Sequence, residues 1–118
     1  MERPNFPLVT DEDNLPVIGT QNGVRDPMVY AKLFCPWGRA TWWLLEYDPA
    51  DRIAFCFAYL LDEMCAELGD VSIDELEGIK GIAGLTIERD RYFTPKPLSE
   101  ALEAHGLHRC AANFKPRP

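Results

Sequence analysis

The chain reads as an α+β domain: a twisted antiparallel sheet of four to five strands, with two short helices packed on one face. Three observations predict it. Residues 28–35, 40–47 and 53–60 are successive apolar and aromatic runs joined by short turns, the pattern of an antiparallel meander. Helical starts at Ser72 and Leu98 follow the strands. A length of 118 residues with 47% apolar content suits one domain, residues 1–118, with 1–9 and 111–118 as flexible, proline-bearing ends.

The elements follow in order. Thr10 before Asp11, Glu12 and Asp13 has N-cap chemistry, so a short helical turn is expected near 10–15, ended by Pro16. Asn22-Gly23 marks a turn. The first strand is residues 28–35, closed by Pro36-Trp37-Gly38. In the second, Thr41, Trp43, Leu45 and Tyr47 share a face. Asp48-Pro49-Ala50-Asp51 is a turn in which proline fixes φ. The third strand puts Phe55, Phe57 and Tyr59 on one side and Ala54, Cys56 and Ala58 on the other. Residues 63–71 fit either a strand or a helical turn, and the second half is assigned to a strand because Ser72 then starts a helix cleanly. Ser72-Ile73-Asp74-Glu75 is a capping box opening a helix that stops at Gly78 or Gly81. Residues 85–90 read as a short strand or an extended edge, and 94–97 as extended. A last helix over 98–105 turns Leu98, Ala101 and Leu102 inward, with Gly106 as its C′ residue.

Charge is the most informative property. Ten carboxylates lie between Glu46 and Glu77 against a single cation, Arg52, which leaves that stretch at −9 within a chain of net −7. Such a surface attracts basic partners and repels nucleic acid. Its plain alternative is solubility, together with acids that suit a helix start. No apolar run approaches the ~20 residues of a membrane helix, and no secretory leader pattern opens the chain, so a cytoplasmic protein is expected.

Chemistry-bearing motifs are sparse. Cys35, Cys56, Cys65 and Cys110 match no metal-knuckle spacing and read as buried free thiols. His105, His108 and Cys110 straddle a helix end without a defined geometry, so no metal and no cofactor is expected. Glu88 and Asp90 share one side of a strand ~7 Å apart, loosely compatible with acid/base work. Alternation with Arg89 and Arg91 also fits structural ion pairs. No phosphate-binding loop or nucleophile elbow is present. Adjacent Trp42 and Trp43 face opposite sides of a strand, leaving one exposed unless a helix covers it; Trp37 is a second candidate for exposure.

Val29-Tyr30-Ala31-Lys32-Leu33-Phe34, Thr41-Trp42-Trp43 and Glu46-Tyr47-Asp48-Pro49 resemble the start of domain-of-unknown-function family 2958. The later runs Ser72-Ile73-Asp74-Glu75-Leu76, Ile87-Glu88-Arg89-Asp90 and Phe93-Thr94-Pro95-Lys96-Pro97 extend the resemblance over about residues 10–102. The chain departs from the family in a longer, cysteine-bearing segment at 55–65 and a basic tail after His105. The resemblance implies a small cytoplasmic protein of bacterial mobile elements, of the kind found among anti-restriction and anti-CRISPR genes, with no assigned catalysis. It carries over no functional residues.

The expectation is therefore a non-enzymatic module that sets Asp62, Glu63, Glu67, Asp70, Asp74 and Glu77, with Trp42 as anchor, into a basic groove of a host nuclease or interference complex, in place of DNA. No direct nucleic acid or membrane contact is expected, and a homodimer is possible. The rival is a small-ligand-binding protein or hydrolase using the Glu88/Asp90 region.

Overall fold

The computed structural model describes residues 7–116. Its centre is a five-stranded antiparallel sheet in the order β5-β4-β3-β2-β6, where β2 is Ala31–Phe34, β3 Thr41–Asp48, β4 Ile53–Tyr59, β5 Glu67–Ser72 and β6 Glu88–Arg89. β1 (Met28–Val29), separated from β2 by Tyr30, pairs with β7 (Lys96–Pro97) in a two-stranded sheet. Helix α1 is Ile73–Gly78, α2 Leu98–Ala104 and α3 His108–Ala112. The α+β class, the meander and both expected helices are present. α3 has no counterpart in the sequence reading.

The helices do not share a face. Ile73 and Leu76 of α1 pack with Leu8, Val9 and Ile87 against Ala31, Leu33, Trp42 and Leu44. Leu98, Ala101 and Leu102 of α2 pack with Cys110 and Ala111 of α3 against Trp43, Leu45 and Phe57. One-sided cover is therefore corrected to a three-layer arrangement. The cause lies in β3, whose residues Thr41 to Glu46 are all buried. Neighbouring side chains on a strand point to opposite faces, so burying both Trp42 and Trp43 needs a layer on each side.

β3 contains one irregularity. Leu44 pairs with Cys56 but Glu46 with Phe55, so Leu45 is an extra, bulged residue. The bulge reverses the alternation beyond it. Tyr47 packs with the Trp42 layer instead of sharing the Trp43 face, and Glu46 takes the Phe55 side.

Parts of both chain ends pack against the core. Leu8 and Val9 are buried, Ala111 is fully buried, and Phe114 meets Phe57 edge-on at 5.6 Å. Lys115 binds Glu103 and its carbonyl accepts from Arg25 Nε at 2.8 Å. Of the ends expected to be flexible, Leu8, Val9, Ala111 and Phe114 pack on the core; residues 1–6 and 117–118 lie outside the described residues.

Local chemistry explains the helix starts. Ser72 Oγ accepts from the Glu75 amide at 3.2 Å, as the capping motif requires. α2 has no capping side chain of its own at Pro97. Asp26 supplies the acceptors instead, taking the Ser99 amide at 2.9 Å and its hydroxyl at 2.6 Å.

Trp37, in the β2–β3 hairpin, is half-buried and packs on the backbone of Gly81, where an added Cβ would lie 2.4 Å from the indole. The Gly81→Ala variant must displace the ring, which should cost about 1–3 kcal/mol. Thermal melts should show a Tm several degrees lower for Gly81→Ala and nearly unchanged for Gly69→Ala, whose Cβ would meet nothing within 4 Å. Equal melts for the two would contradict this packing.

Candidate functional site

Eight of the ten carboxylates of the acidic segment fall into two groups, apart from the exposed Asp51 and Glu75. The first is structural. Glu46, 2% exposed, accepts from the Gly19 amide at 2.9 Å and the Gln21 amide at 2.5 Å, fastening the loop before β1 to the sheet. Glu77, 8% exposed, receives both Arg52 nitrogens at 2.8 and 2.9 Å and the Leu8 amide at 3.2 Å. Arg52 also binds Asp74, and hydrogen bonding, first to Glu77, raises its pKa further. Asp48 accepts the Ala50 amide at 2.9 Å within its turn.

The second group runs along the open edge. β5 is a terminal strand of the sheet, and Glu67 and Asp70 on it are exposed. No ion pair among the described residues reaches either of them. Glu67 pairs in register with Ala58 and Asp70 with Phe55, so they leave opposite faces of the strand, ~10 Å apart along it. In the β4–β5 connection Asp62 is exposed and accepts the Met64 amide at 2.9 Å, and Glu63 is half-buried. Exposed apolar groups sit among them, chiefly Met64 at 96% and Leu61 at 71% exposure.

Two of the sequence-expected site residues are thereby corrected. Trp42 is 7% exposed, covered by the α1 layer, and is no surface anchor. Glu77 is buried under Arg52. Asp74 is exposed but shares that arginine. The single acidic plate is in fact an edge row plus a buried clamp.

A cavity of about 580 Å³ lies elsewhere. Its floor is Lys32 and Phe34 of β2, Thr41 of β3 and Tyr59 of β4, flanked by Arg39 in the hairpin, Asp90 after β6 and His105 after α2. Register explains the grouping, because Phe34 pairs with Thr41 and Thr41 with Tyr59, which puts all three side chains on one face. The Glu88/Asp90 pair does not converge there. Asp90 lines the cavity 3.9 Å from Lys32 Nζ, whereas Glu88 is exposed and is not among the lining residues. Arg89 makes the structural ion pair, to Asp13 at 2.5 Å.

In the sequence His105 stands with His108 and Cys110 as a metal-ligand residue type at a helix end. Its ring stands edge-on to Trp43 at 5.1 Å and to Tyr59 at 6.2 Å. Burial first and then the Lys32 charge hold the imidazole below its ordinary 6.5. His108 instead meets Glu103 at 2.6 Å. Among the described residues no group of three His, Cys, Asp or Glu could hold a metal ion. Cys35, Cys56 and Cys110 are free thiols, and burial pushes that of Cys56 up to about 12. No helix among the described residues is long and apolar enough to cross a membrane.

The family model described as protein of unknown function, DUF2958, matches residues 10–107, which takes in both sheets, α1 and α2 and stops before α3. No curated protein and no solved structure matches.

His105 gives this site a pH signature. With the folded pKa depressed, its contribution to stability is present above 6.5 and lost as pH falls through the lower folded value. The charged groups around the cavity are Lys32, Arg39 and Asp90. Urea midpoints from about pH 7 to about pH 5 should therefore fall more for the wild type than for His105→Gln. Parallel profiles would show that the imidazole titrates normally.

Proposed function

The chain belongs to the DUF2958 family of proteins of unknown function, and we propose that this member is a non-enzymatic binding module whose acidic β5 edge engages a basic protein surface. The observation that carries this reading is the row Asp62, Glu63, Glu67 and Asp70 on and beside a terminal strand, with Glu67 and Asp70 outside every ion pair of the described residues. Like charges in a row along a rigid strand raise the local negative potential and speed encounter with a cationic groove. Met64 and Leu61, exposed within the row, supply the apolar contact once assigned to Trp42. The same charges also discourage pairing of this edge with other sheets.

The partner is a nucleic-acid-binding surface of a host nuclease or interference complex in the cytoplasm, occupied in place of DNA. Such a surface already carries lysines and arginines arranged for phosphate, so carboxylates reach it with favourable electrostatics and counterion release. An anti-restriction or anti-CRISPR role follows from that occupation. Asp74 extends the row past β5, while Glu77 contributes through the fold alone.

The test compares wild type with Glu63→Lys/Glu67→Lys/Asp70→Lys in pull-downs from host lysate, washed at low and then high salt. The expected result is capture of a nucleic-acid-binding protein that duplex DNA displaces. Charge reversal should slow its association by about tenfold or more at low salt and leave the Tm nearly unchanged. Capture indifferent to the reversals, to salt and to DNA would overturn the reading.

A further inference from the structure

The cavity beside His105 differs in charge from the chain as a whole. The chain carries net −7, yet this cavity is lined by Lys32 and Arg39 against one carboxylate, Asp90. That carboxylate does not saturate the cations. Its contact with Lys32 is long, at 3.9 Å, and no ion pair among the described residues engages Arg39. Only a fifth of the Lys32 side chain is exposed (20%), so its charge is less screened than that of a surface lysine. Phe34 and Tyr59 add aromatic surface, and the His105 ring stands edge-on to Tyr59 and Trp43. Thr41 adds a hydroxyl whose donor is spent on the Arg39 carbonyl at 3.1 Å, leaving it an acceptor.

We propose that this cavity binds a small organic anion carrying a planar ring, with the anionic group between Lys32 and Arg39 and the ring against Phe34, Tyr59 and His105. A volume of 580 Å³ falls in the range of small-molecule sites and matches a ligand of mononucleotide size. Arginine pairs in fork geometry with phosphate or carboxylate, and the lysine acts as a point charge beside it. The neutral imidazole that its depressed pKa ensures near pH 7 stacks without repelling the cations and offers one donor and one acceptor. Binding here uses none of the β5 carboxylates, so it stands or falls separately from the edge-binding role.

The cavity supplies its own reporter. Cys35 lines it and is half-buried, whereas Cys56 is 1% exposed with its thiol pushed up to about 12. The experiment titrates the full chain with AMP, 4-hydroxybenzoate, adenosine and inorganic phosphate, each to about 5 mM, enough to reveal millimolar affinity. Readouts are the His105 ring signals by NMR and iodoacetamide labelling of Cys35 by peptide mass spectrometry. AMP or 4-hydroxybenzoate should shift the His105 signals and protect Cys35. Adenosine and phosphate alone should bind at least about tenfold more weakly, since each lacks half the recognition. Arg39→Ala, at the exposed rim, should weaken binding about fivefold or more while the melting curve stays in place. Adenosine binding as tightly as AMP, binding indifferent to Arg39→Ala, or no response to either aromatic anion would overturn the proposal.

Discussion

Burial of β3 on both faces is the constraint from which the rest of the molecule follows. Six consecutive side chains from Thr41 to Glu46 leave solvent, two of them indoles. A sheet covered on one side could not accommodate Trp42 and Trp43 together. The N-terminal segment and α1 therefore close one face, and α2 with α3 closes the other. Burying an indole relative to exposing it is worth on the order of 2–3 kcal/mol, so each layer is held by more than its own helix propensity. That matters here because α1, α2 and α3 are six, seven and five residues long, too short to be stable alone.

The same constraint sorts the acidic residues. The bulge at Leu45 aims Glu46 at the Gly19 and Gln21 amides, and closure of the Trp42 face brings Glu77 under Arg52 and against the Leu8 amide. These carboxylates tie loops and the N-terminal segment to the sheet. A buried charge stripped of such partners is strongly destabilising, which binds the two groups to the fold rather than to a partner. The edge row, by contrast, is not used in this way by the fold.

Much of the architecture was legible because its signals are local. Alternation in 53–59, the Ser72 cap and the Leu98, Ala101, Leu102 stripe each determine an element within a few residues. What escaped was long-range. Cover depends on Leu8 and Val9 on one face and on α3 on the other, segments whose proline-rich neighbourhoods suggested fraying. The displaced Tyr47 follows from a one-residue bulge that leaves no mark in composition. Asp26 capping α2 acts across 73 positions, and Arg52 joins Glu77 across 25. The cavity was missed for a similar reason: Lys32, Arg39, Tyr59 and His105 come from four elements, and only the sheet register unites them. A signal was present in His105, a titratable group beside an inward-facing helical stripe.

The division of the carboxylates is the claim on which the functional reading rests, and single neutral substitutions examine it most directly. Chemical denaturation of Glu46→Gln, Glu77→Gln, Glu67→Gln and Asp70→Gln, measured side by side, should separate them into two classes. The first two should lose roughly 1–3 kcal/mol, as buried acceptors of several hydrogen bonds do. The last two should stay within about 0.5 kcal/mol of the wild type, as surface positions do. Losses of similar size at all four positions would contradict the account, because the edge would then belong to the framework as much as the clamp.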